Sequence, residues 1–183
     1  RYPSGYNHFS YDITEFLNKD GSENTIAVQV TNKQPSSRWY SGSGIYRDVT
    51  LSYRDKVQVA ENGNHITTPK LAEQKDGNVE TQIQSKIKNT AKTLAKVYVE
   101  QQIFTKEGKA VSDLVRSVTK SLSENETADF KQTILVNKPT LWTTKSYHPQ
   151  LYVLKTKVYN EGQLVDVTED TFGYRYFNWT VKE

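Results

Sequence analysis

The sequence predicts an all-β protein, an antiparallel β-sandwich preceded by a shorter group of strands, and three observations carry that prediction. Apolar and polar residues alternate with a period of two through most of the chain, glycine turns punctuate the alternating runs, and helical spacing is confined to one short stretch. The clearest run sets Val79, Thr81, Ile83, Ser85 and Ile87 against Glu80, Gln82, Gln84, Lys86 and Lys88, giving one buried and one wetted face. The same spacing returns at Ile26, Val28 and Val30, at Val49, Leu51 and Tyr53, and at Val97 and Val99. It continues through Ala128, Phe130, Gln132, Ile134 and Val136, then through Tyr152, Leu154, Thr156 and Val158. Turns are expected between these runs at Asp20-Gly21, Asn62-Gly63, Asp76-Gly77, Glu107-Gly108 and Glu161-Gly162. The one helical turn falls at Asp12 to Leu17, where Asp12 and Glu15 stand at capping-box spacing ahead of Phe16 and Leu17. From about Val57 onward the pattern reads as roughly seven strands, which over ~100 to 130 residues means two packed sheets. Residues 1–55 hold about three strands, too few to close a core alone.

Composition narrows the function. With 35% apolar residues in 183, the chain can bury a sizeable core. The net charge of +3 is spread thinly, because Lys is interleaved with Glu and Asp from Val79 to Lys131. That is a wetted β-surface and not a basic stripe, so nucleic acid is not an expected partner. No run approaches the ~20 apolar residues of a membrane span. Cysteine is absent, which removes disulfides, thiolate metal sites and cysteine nucleophiles together and leaves the compartment open. Two Asn-x-Thr sequons, at Asn125 and Asn178, matter only in a eukaryotic secretory route. Arg1, in place of an initiating methionine, points to a segment of something longer.

Reactive side chains are scattered. His8, His65 and His148 stand in no metal-binding frame, so neither a metal nor a cofactor is expected. Gly42 and Gly44 suggest a phosphate loop, but Arg47 occupies the place of the third glycine and a strand pattern follows where a helix is required. No nucleophile elbow of the G-x-S-x-G kind is present. Asp166 and Asp170 share one face of an alternating strand with Glu169 on the other, and they read as solvated edge charges. A carboxylate pair for glycoside cleavage is the alternative. Pro139 and Pro149 enforce an irregular crossing, held by Leu141, Trp142, Leu151 and Tyr152. Trp142 reads as a plug at the end of the sandwich, against the alternative of a sugar-stacking ring.

Five stretches together carry a resemblance: "GYNHFSYDITEFL", "ENTIAVQVTN", "SRWYSGSGIYRDVTL", "KPTLWTTKSYHPQLYVLKTKV" and "EDTFGYRYF". In this order they resemble glycoside hydrolase family 2, most closely its β-galactosidases of the streptococcal type. The resemblance implies that residues 1–55 are the C-terminal part of a jelly-roll sugar-binding domain and that 56–183 form an immunoglobulin-like β-sandwich. It also implies that Tyr46, Trp142 and Tyr152 pack structural junctions and that Arg47 is a buried, paired arginine. Arg38, Trp39 and Arg47 are the candidates for a direct sugar contact. The family's two catalytic glutamates belong to a barrel expected beyond Glu183, so no catalytic residue is assigned in this chain. The implied partners are the rest of the parent glycosidase and, through it, β-galactoside glycans, outside the cell or on a bacterial surface. A homodimer through residues 1–55 is expected of the chain alone. Rival readings are a free-standing carbohydrate-binding or adhesion module, and a β-glucuronidase or β-mannosidase parent.

Overall fold

A computed structural model describes residues 5–33, 42–144 and 149–179. Two compact units divide the chain, residues 1–51 and 52–183.

In the first unit the regular structure among the described residues is one 3-10 turn, Thr14–Phe16. The Asp12 carboxylate accepts the Thr14 amide at 3.0 Å, and the Phe16 N–H closes on Ile13 at 2.9 Å. Asp12 therefore sets the turn from two residues back, and Glu15 does not reciprocate as a capping box requires. The Asp20-Gly21 turn forms as expected, with the Asp20 carboxylate accepting the Ser22 amide at 3.0 Å and Gly21 at φ +84°. The strands expected at Ile26 to Val30 and, running into the second unit, at Val49 to Tyr53 do not form a ladder among the described residues, and their apolar faces are open, Ile26 at 67% and Leu51 at 80% exposure. A strand exists only where a neighbour accepts its backbone groups, and three cannot make a core together.

The second unit is the antiparallel sandwich. Its strands are β1 (Val57–Thr67), β2 (Asn78–Asn89), β3 (Ala95–Thr105), β4 (Val115–Arg116), β5 (Lys120–Leu122), β6 (Thr127–Asn137), β7 (Tyr152–Asn160) and β8 (Gln163–Phe172), with one helical turn α1 (Leu71–Gln74). One sheet runs β1-β2-β6. The other runs β4-β3-β7-β8, with β5 also on β3 beside β4. The short connections fit their sequences. Glu161 and Gly162 both take positive φ, as a two-residue hairpin between β7 and β8 demands.

Asn62-Gly63 is not the turn its sequence suggests. It lies inside β1 as a bulge, since the register jumps from Val59↔Ile87 to Asn64↔Ser85. Asn62 takes φ +51°, and a Cβ on Gly63 would lie 2.7 Å from the Ala60 carbonyl and 2.9 Å from that of Lys86. Only glycine lets the backbone close up so tightly. The bulge turns Asn64 inward.

The core is two apolar clusters separated by a polar layer. One centres on Val59, Ile87, Val97, Leu122, Phe130 and Val158, the other on Val79, Ile103, Ile134, Tyr152, Leu154 and Tyr174. Between them the Gln101 amide donates to Ser85 Oγ and Thr156 Oγ1, both at 2.9 Å. Ser85 in turn donates to Asn64 Oδ1. Asn64 Nδ2 donates to Asp170 at 2.6 Å and to Thr168 at 3.1 Å. Alternation thus locates the buried face correctly even where Ser85 and Thr156 occupy it, because buried hydroxyls are tolerated once bonded.

Candidate functional site

Arg38 and Trp39 lie outside the described residues. Tyr46 and Arg47 are exposed in the first unit. Arg47 donates to the Tyr6 carbonyl at 3.4 Å and its guanidinium stands 5.2 Å from the Tyr46 ring centre, while the Tyr46 hydroxyl donates to the Gly5 carbonyl at 3.4 Å. Arg47 is therefore not the buried arginine that the resemblance implies. Among the described residues it makes one long bond to a neutral carbonyl, and no carboxylate pairs with its planar head.

Trp142 and Tyr152 both lie at one end of the sandwich, where the crossing from β6 to β7 passes the end of β8, and both approach Tyr174. Tyr152 is buried, and its hydroxyl accepts the Thr140 amide at 2.8 Å. Tyr174 is the larger plug, at 0% exposure, with its ring edge-on to Tyr152 at 5.0 Å and to Phe172 at 5.2 Å. Its hydroxyl shares a 2.8 Å hydrogen bond with Thr81 Oγ1. Burial pushes the Tyr174 phenol well above its ordinary pKa, the Thr81 bond opposing only part of that. Trp142 is half-buried: its backbone N–H donates to the Tyr174 carbonyl at 2.9 Å, and the Arg175 guanidinium lies 4.2 Å over its ring. The end plug is thus shared, with Tyr174 at its centre and Trp142 toward solvent under a cation. Tyr174 was readable in the sequence, since Phe172 and Tyr174 continue the period of two past Gly173.

Asp166 and Asp170 are not solvated edge charges. Asp166, at 9% exposure, accepts the Val59 amide at 2.9 Å and pairs with Arg54 at 3.5 Å. Asp170 holds Asn64, and only Glu169 faces outward, paired with Lys155 at 2.8 Å. Alternation placed Asp166 and Asp170 on one face but could not say which; the two carboxylates pin β8 to β1 and close that edge of the sandwich.

On the outer face of the larger sheet, Tyr98 and Tyr159 stack at 4.8 Å with their planes 8° apart, and Arg116 lies 3.6 Å over the Tyr98 ring. Because β3 runs between β4 and β7, Tyr98 is covered on both faces. Burial, helped by a hydrogen bond to Glu100, raises the Tyr159 pKa. Among the described residues no three His, Asp or Glu side chains gather as a metal site. The rings and carboxylates described above are engaged by one another.

The chain belongs to glycosyl hydrolases family 2, whose model matches residues 57–175. Over 180 residues it is 35% identical to the beta-galactosidase BoGH2A of Bacteroides ovatus, covering 96% of this chain and 20% of that protein. It is 35% identical over 181 residues to a protein of Formosa agariphila provisionally named a beta-glucuronidase, covering 97% of this chain and 16% of the other. Among solved structures, a family 2 member from Bacteroides cellulosilyticus superposes with a TM-score of 0.70 at 27% identity, over 80% of this chain and 19% of that one. The chain thus spans 16% to 20% of the length of these relatives. The immunoglobulin-like sandwich expected from the resemblance is the fold observed.

Proposed function

We propose that this chain is a non-catalytic structural region of a retaining β-galactosidase acting on terminal β-galactosides, in which the sandwich positions a sugar-binding domain against a catalytic barrel. One observation carries this reading: within the sandwich, the carboxylates and rings singled out as sugar-handling candidates are engaged by the fold itself. Asp166 and Asp170 fasten β8 to β1, Tyr98 is covered on both faces, and Trp142 lies under Arg175. The Tyr98–Tyr159 stack on the outer face is not an open platform, which speaks against a sugar-stacking module on that sheet. A rigid spacer needs what is here, because positioning depends on elements that do not yield. The short share of its relatives' length supports a larger protein around it.

Galactoside specificity is drawn from the name of the Bacteroides ovatus relative. The equal identity to the Formosa agariphila protein favours a second reading, a β-glucuronidase parent. The open apolar side chains of the first unit, among them Ile26, Val28 and Ile45, are assigned to the rest of the sugar-binding domain in the longer protein. In the chain alone they pair with a second copy.

The test compares the chain with the protein read from its gene together with the flanking sequence. The chain alone is expected to leave nitrophenyl β-galactoside intact and the longer protein to cleave it. Hydrolysis by the chain alone overturns the structural role, and a longer protein that cleaves only the glucuronide transfers the reading to the second parent. Light scattering is expected to give a dimer for the 183-residue chain and a monomer for one starting at Asp55; a monomer in both removes the pairing.

A further inference from the structure

The polar layer between the two apolar clusters draws on every long strand of the sandwich. Asn64 pairs with Ser85 across β1 and β2, Gln101 with Thr156 across β3 and β7, and Thr156 with Thr168 across β7 and β8. Gln132 joins the layer from β6, where it pairs with Ile83 beside Ser85. From Asp170 to Gln101 the layer is a continuous chain of hydrogen bonds. At its far end the pattern changes. Gln101 Oε1 and both polar atoms of the Gln132 side chain meet no hydrogen-bond partner among the described residues. Gln101 is 0% exposed and Gln132 8%.

Such atoms carry a desolvation cost that only a hydrogen bond offsets. Two glutamines so placed, from opposite sheets, present one donor group and two acceptor oxygens. The side of the sandwich on which they lie is its open edge. A groove of about 580 Å³ runs there between the β4–β5 segment and β6, lined by Val115, Arg116, Lys120, Phe130 and Gln132 among others. Val115 is also the strand partner of Gln101, so the groove reaches the residues flanking both amides. Lys120 spans the groove, donating to the Asp129 carbonyl and lying 5.1 Å from the Phe130 ring centre.

We propose that the sandwich contains an internal water-binding site between Gln101 and Gln132, filled through the β5–β6 groove. A water accepting from Gln132 Nε2 and donating to Gln101 Oε1 satisfies two of the three atoms. A neighbour toward the groove donates to Gln132 Oε1. Water is the ligand because both amides are all but buried, Gln101 at 0% and Gln132 at 8% exposure, and because the site supplies the two to four polar partners that a buried water needs. The hydrated pair completes the layer from one edge of the sandwich to the other.

The sign of one substitution separates this site from a dry core. In Gln132→Leu, of similar length, a hydrated site loses its bonds and leaves Gln101 Oε1 stranded, so the folding constant is expected to fall on the order of ten-fold in urea titration. A folding constant that is unchanged or raised overturns the proposal, since deleting two unpartnered polar atoms from a dry core is favourable. Should the variant not fold, the native chain gives the answer. A high-resolution crystal structure is expected to place an ordered water within hydrogen-bonding reach of both amides, and oxygen-17 relaxation dispersion to detect a long-lived internal water. A direct Gln101–Gln132 bond with no such water overturns the site.

Discussion

Residues 5–33 and the sandwich from Val57 onward are written in the same alternating code, yet only the second becomes sheet. Ile26, Val28 and Val30 repeat the spacing of Val79, Thr81 and Ile83, but the former are exposed and unladdered while the latter are buried between β1 and β6. The difference is in the neighbours. Period two states which residues share a face; it says nothing of whether another strand will accept the backbone groups or cover that face. Where partners lie within the chain the pattern predicts β2 almost to the residue, and where they do not it predicts a strand that the chain alone does not build.

The largest expected break falls at the end plug of the sandwich. Tyr174→Ala removes a fully buried ring packed on Tyr152 and Phe172 and strands Thr81, and it is expected to lower stability by about 3–5 kcal/mol in urea denaturation. Trp142→Ala, at a half-buried ring, is expected to cost about 2 kcal/mol, less than the full cavity penalty of a buried tryptophan. If the two losses come in the reverse order, Trp142 is the true anchor and the centre of the plug has been misplaced.

A smaller break tests the bulge. Gly63→Ala drives a methyl into the Ala60 and Lys86 carbonyls, so either the bulge opens or β1 shifts against β2, at about 2 kcal/mol. Proton chemical shifts of Asn64 and Ser85 should move with it. A variant as stable as the native chain, with those shifts unchanged, would show that the glycine is not what lets the strand close there.

How much was legible follows the same physics. The strands β2, β3, β6 and β7 were readable because each presents five or so alternating residues to a core. The bulge was hidden because Asn-Gly is the commonest hairpin signature, and only the approach of Lys86 distinguishes a bulge from a turn. Asp166 and Asp170 were misread because a carboxylate on a strand face is usually wet; the Val59 amide and Asn64 that hold them inside come from more than a hundred residues away. Of the candidate site, Tyr152 was read as a packing residue and lies buried, whereas Arg38 and Trp39 fall outside the described residues.

The plug also makes a pH-dependent prediction. Below about pH 10 tyrosine keeps its proton in both folded and unfolded chains, so Tyr174 adds no slope. Above it the unfolded chain releases the proton while the buried phenol retains it, and stability falls as pH rises, at most ~1.4 kcal/mol per unit for this group. Comparison with Tyr174→Phe isolates the effect: the variant should be the weaker of the two at pH 8 and lose less on going to pH 11. Parallel losses in both would assign the alkaline slope to other groups.

The smallest effect belongs to the first unit, where it sharpens the comparison most. Arg47 is exposed, with a 3.4 Å bond to the Tyr6 carbonyl and a 5.2 Å approach to the Tyr46 ring. Surface contacts of this kind contribute little, so Arg47→Ala in the 183-residue chain is expected to change thermal stability by less than about 0.5 kcal/mol. A buried, paired arginine would cost roughly 3–5 kcal/mol when truncated, because its partners are left charged in a dry site. The same substitution made in the longer protein therefore asks whether the missing neighbours exist. A loss that stays small there means that Arg47 is a surface residue in every setting. A loss that grows to several kcal/mol in the longer protein alone means that the strands completing this unit also bury its arginine, and that the alternating code of residues 5–51 is answered from elsewhere in the parent chain.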